Sequence, residues 1–181
     1  MAYLLRSLIL LMLLSIILTI AIAHSFVDIG YGHIKIAIVS YLFTIFAQAF
    51  VMFYFIGVAK LVLNIYSALI HETNLDELFD KAPEDLNPYI DATKKMVMDT
   101  KRCKRQTIPW SILIIIIGMI AFLLGGAHDT NVVELTTHSG VAYGFTVVSV
   151  IGFFRQWHYL IVSHKTLRKI KGLFEIPDAQ M

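Results

Sequence analysis

Between Lys35 and Lys60 the chain runs for twenty-four residues without a charge, IAIVSYLFTIFAQAFVMFYFIGVA. At about 1.5 Å per residue such a helix crosses a hydrocarbon core of about 30 Å with room for tilt. No aqueous fold of this size has an economical place for it. Three further apolar runs accompany it, preceded by or ending in interfacial residues: Ser7–Ala23, Ile108–Ala127 and Gly140–Val162. Only 15% of the residues are charged, against about a quarter in ordinary soluble domains. None of the thirteen Asp and Glu falls inside a run. The expected fold is therefore an all-α integral membrane protein. It is a four-helix antiparallel transmembrane bundle with spans over about 5–23, 35–60, 108–127 and 140–162.

The polar remainder is unevenly divided. His24–Ile34 and His128–Ser139 are short connections, the first with Gly30 and Gly32 to make a turn. The long one, 71–107, predicts a partly helical cytoplasmic insertion between the second and third spans. Asn74 is placed to cap a short helix NLDELFDKA ended by Pro83. Asn87-Pro88 opens a second helix that becomes basic at Lys101, Arg102, Lys104 and Arg105. Pro109 and Trp110 then mark entry to the third span with a kink and an interfacial ring. A tail, 165–181, follows the fourth.

With four spans, both termini lie on one side. That side takes fourteen of the fifteen Lys and Arg residues when Arg155 is assigned to its interface, and only Lys35 falls on the other. The positive-inside rule puts both termini in the cytoplasm, the membrane being the plasma (inner) membrane. The basic segment reads as a surface for anionic lipid headgroups rather than for nucleic acid. Ala21-Ile22-Ala23 has the form of a signal-peptide cleavage site, which would expose His24 as an N-terminus; the seventeen-residue apolar run is longer than a signal core and reads as a retained first helix. The single Cys103 excludes an intrachain disulfide. No phosphate-binding loop, nucleophile elbow or zinc-protease motif occurs, and any substrate chemistry is expected to belong to a partner rather than to a complete enzyme in this chain.

Histidine placement is the unusual feature. His24, His33, His128 and His138, four of seven, fall at the outer ends of the spans. Asp28, Asp129 and Glu134 share that side. Imidazole and carboxylate suit Cu, Zn or Fe, and two imidazoles on facing helices suit haem b. His138 shares a helical face with Ala142, Phe145, Ser149, Gly152 and Gln156. His33 shares one with Ala37, Ser40, Thr44, Ala47 and Val51. Both faces are small or polar and are expected to look inward. His33 and His138 are thus the primary candidate ligands for haem b, with His24 and His128 joining them in a metal site. Interfacial preference alone could also collect these rings, and the spacings of nine and ten residues match no compact ligand motif. Gln48, near the middle of the second span, must face protein, because a carboxamide facing lipid would be costly. Ser111, Gly118 and Gly125 recur every seven residues and give the third span a close-packing face.

Three functions fit these residues. The first is a small membrane subunit of a redox or metal-handling system. The second is a structural or assembly subunit of a larger complex, with other membrane subunits or copies of itself as partners. The third is a small transporter or channel using Gln48, Thr44 and Ser149 as a polar track.

Overall fold

In the computed structural model residues 2–27, 32–79, 83 and 85–174 are described; Asp28, Gly30 and the end of the tail, 175–181, lie outside them. Four helices account for nearly all of the described chain: α1 (Ala2–Ala23), α2 (His33–His71), α3 (Asn87–Asp129) and α4 (Leu135–Leu173). Each contains a window apolar and long enough to cross a membrane. Three of them stop at a non-glycine residue in the left-handed region, Ser25, Glu72 or Asn131. The chain folds back there so that a later amide reaches a free carbonyl of the last turn, as Phe26 does to Ala21 and Val132 to Ala127.

The helices form a closed ring in which α1 packs on α2, α2 on α3, α3 on α4 and α4 on α1. Ala23, His33, Asp129 and Leu135, the helix ends joined by the two short connections, lie together at one end of the bundle, the chamber end. The α2–α3 connection lies at the other, the tail end. Along α1 the buried positions are Leu5, Ile9, Met12 and Ile16, a single stripe at helical spacing. The inward faces expected for α2 and α4 are the buried ones: Ser40, Thr44, Ala47 and Val51 on one helix, Ser149, Gly152 and Gln156 on the other. Gly152 allows the close approach of α3, since a Cβ there would lie 2.5 Å from Ile114 Cδ1.

Three local expectations change. The separate helix and span expected on either side of Pro109 are one helix of 43 residues. Pro109 lies on its exposed face, so the buried line Cys103, Thr107, Ser111, Ile114, Gly118 and Ala121 passes it uninterrupted. Packing along that line outweighs the one backbone hydrogen bond that proline removes. Of the short helix expected over 74–82, residues 80–82 lie outside the described residues, and 74–79 hold a single 3-10 turn, Leu75–Glu77; Asn74 adopts a left-handed conformation and its side chain makes no capping hydrogen bond. Leu75, Leu78 and Phe79 instead anchor this stretch against the tail-end core. The second outer connection is only 130–134, which places His128 and His138 on helices rather than in a loop.

Helix length divides the bundle. At about 1.5 Å per residue α1 is about 33 Å long, whereas the others reach about 58–64 Å. Beyond the start of α1 the surplus forms a three-helix extension with its own core, including Val62, Ile65, Leu69, Met96, Val97 and Ile170. The level at which α1 begins carries basic and aromatic groups. Arg6 lies 5.6 Å from the Trp157 ring, and Arg155 lies 5.1 Å from the Trp110 ring while donating to Gln106 Oε1.

Candidate functional site

The four helix ends at the chamber end do not meet. They surround a cavity of about 600 Å³ whose lining includes His24, His33, His128 and His138 together. Each helix or its end contributes six to eight residues of wall, between Ile16 and His24, His33 and Tyr41, Gly118 and Asp129, and Leu135 and Thr146. The chamber therefore reaches about 12–15 Å into the bundle. Most of the lining is apolar, as is usual for sites that hold an organic ligand, with few polar groups among it.

The rings differ in their surroundings. His128 Nδ1 is 3.1 Å from the Val133 carbonyl. A carbonyl can only accept, so that nitrogen carries the proton and Nε2 is left as the basic one. The His128 and His138 rings are nearly parallel, 9° apart, with centroids at 6.0 Å. His138 is half-buried between α3 and α4, and a Cβ at Gly125 would lie 3.1 Å from its Cε1. Glycine at 125 makes the room for this ring, which gives that member of the small-residue series a role beyond helix packing. His138 Nδ1 and His33 Nδ1 are both buried without a hydrogen-bond partner. A buried polar atom without a partner costs about 1–3 kcal/mol.

His24 could not be oriented from periodicity, because it follows the end of α1. Its Nε2 is hydrogen-bonded to Tyr143 Oη at 2.5 Å, and the two rings are 8° from parallel. This pair closes the seam between α1 and α4. Across the bundle Tyr41 stacks on Phe122, centroids 5.4 Å apart, and closes the seam between α2 and α3. Neither tyrosine was signalled by the sequence. Tyr143 stands five residues from His138, one position off the inward face, and only the neighbouring helix gives it a role. Asp129 lines the chamber but is exposed. Among the described residues no group of three or more His, Cys, Asp and Glu is close enough to hold a metal ion. The four imidazoles share a chamber without closing on one point.

The floor of the chamber is a buried level of apolar and small polar side chains, the latter being Ser40, Thr44 and Ser149. Met12, Ile16 and Ala47 are buried together, with Phe145 packed against them. Beneath it lies the layer containing Gln48. Gln156 Nε2 donates to Gln48 Oε1 at 2.6 Å, and Gln48 Nε2 donates back to Gln156 Oε1 at 3.3 Å. Gln156 Nε2 also reaches Ser111 Oγ at 3.2 Å, and Gln48 Nε2 lies 3.0 Å from Met12 Sδ. One group from each helix thus meets in a single polar layer, and Gln48 is an interhelical tie.

Comparison with protein-family models, with curated proteins and with solved structures finds no match to this chain.

Proposed function

We propose that this chain is an integral membrane protein whose outer chamber holds haem b, acting as a small carrier or subunit of a redox system. The membrane reading is supported by where the apolar residues lie. Fewer than a third of the residues in each apolar window are buried inside the bundle, so most of that surface needs a non-aqueous surrounding. The basic residues then orient it with both termini in the cytoplasm and the chamber on the opposite face.

The observation that carries the haem reading is the pair of buried, unpartnered imidazole nitrogens, His33 Nδ1 and His138 Nδ1, in one largely apolar chamber. They stand on α2 and α4, which lie diagonally across the ring. A bare ion needs three or four protein donors, and no such group occurs among the described residues. Haem iron takes four nitrogens from its own macrocycle and needs only two from the protein. In this role His33 and His138 would hold the haem iron. His128, with its ring oriented by the Val133 carbonyl, and His24, tied to Tyr143, line the space around them.

Absorption spectroscopy tests the proposal. Protein produced with an ample haem supply is expected to show a Soret band and about one haem per chain. His33→Ala and His138→Ala should each lose the low-spin spectrum while keeping the helical circular dichroism. A wild-type protein with no Soret band and no stoichiometric metal would remove the reading, and a cofactor-free assembly subunit would take its place.

A further inference from the structure

Where α1 begins beside α4, Arg6, His164 and Arg168 gather, and among the described residues no carboxylate is paired with them. Arg6 is the only charged residue of α1. Its guanidinium carbon lies 5.3 Å from the Tyr3 ring and 5.6 Å from the Trp157 ring. Its Nε is buried and has no hydrogen-bond partner. His164, on α4, packs edge-on to Tyr3 with centroids 5.6 Å apart, and its Nε2 is likewise buried and without a partner. Arg168 follows one turn later on the same face, and the charges of Arg6 and Arg168 both act on the His164 ring. A packed protein normally avoids burying donors that nothing accepts, and avoids gathering cations without an anion.

We infer that Arg6, His164 and Arg168 form a binding site for the phosphate group of an anionic phospholipid, at the seam of α1 and α4. The chemistry fits at each point. The guanidinium and imidazole supply charge-assisted donors to phosphate oxygens. Tyr3 and Trp157 are the amphipathic rings found at headgroup depth. Trp157, two residues from Arg155, stands where the apolar spans end, and His164 and Arg168 follow about two and three turns further along α4. The inference rests on the membrane reading and is independent of haem. It differs from the basic stretch of α3, Lys101, Arg102, Lys104 and Arg105, which is exposed.

Native mass spectrometry of the full chain in detergent tests it, titrating with dioleoyl phosphatidylglycerol and dioleoyl phosphatidylcholine in parallel. The wild type is expected to prefer the anionic lipid. Arg6→Gln should weaken that lipid about tenfold, the loss of a charge-assisted contact, and leave phosphatidylcholine unchanged. Arg6→Lys, which keeps the charge and spares the fold, should give an intermediate loss. The double variant Lys101→Gln, Arg105→Gln, on the exposed basic stretch of α3, should weaken the preference by much less than Arg6→Gln alone. Equal losses in that double variant and in Arg6→Gln would overturn the site in favour of diffuse attraction. Inorganic phosphate abolishing phosphatidylglycerol binding, where chloride at equal ionic strength does not, would overturn the lipid as the source. Failure to bind either lipid would instead count against the membrane reading.

Discussion

Replacing Gln48 by leucine breaks the polar layer from one side only. Gln48 exchanges two hydrogen bonds with Gln156, at 2.6 and 3.3 Å, and both residues are fully buried. An interhelical side-chain hydrogen bond within a membrane bundle is worth about 0.6 kcal/mol on average and up to about 1.7. The change also leaves Gln156 Oε1 without its donor, while Nε2 keeps Ser111. A buried orphan of this kind costs about 1–3 kcal/mol. Gln48→Leu should therefore destabilise by about 2 kcal/mol. Gln156→Leu should cost about 2–3 kcal/mol, since it orphans Gln48 and also releases Ser111. The double leucine variant leaves no carboxamide orphaned and should cost about 1–2 kcal/mol, well below the sum. Reversible unfolding in mixed micelles, followed by circular dichroism, measures all three. Single losses that add to within about 0.5 kcal/mol would show that the two carboxamides do not act as a pair, and the reasoning from the layer would fail.

Gly152→Ala should destabilise by about 1–3 kcal/mol, because its Cβ would lie 2.5 Å from Ile114 Cδ1. Adding Ile114→Val, which deletes that methyl, should recover most of the loss in the same unfolding assay. Cys103 is buried among Leu5, Ile9, Val51, Phe55 and Leu160; a maleimide should label it slowly in the folded protein and fully after denaturation, and rapid labelling of the folded form would contradict this packing. In the haem-loaded protein Gly125→Leu should displace His138 and alter the Soret band, because the ring occupies the space glycine leaves at 3.1 Å. A spectrum unchanged by that substitution would separate His138 from the cofactor.

Much of the architecture was written in one-dimensional pattern. Four uncharged runs determine four long helices, since an apolar run of that length satisfies its backbone only within itself. Period-3.6 spacing determined the inward faces, because a helix fixes the angle between successive side chains wherever it is placed. It also required Gln48 to face protein. What remained open was the azimuth of one helix against another. Apolar packing is non-directional, so nothing local states which neighbour a face will meet. Only the folded ring decided that Gln48 meets Gln156, 108 residues away. The ring likewise placed His24 against Tyr143 and left His33 Nδ1 and His138 Nδ1 buried without a partner in a common chamber. Pro109 shows the same division. Its ring predicts a break, but whether the helix breaks depends on which face carries it, and that face was set by the packing of Cys103, Thr107 and Ser111 on the other side.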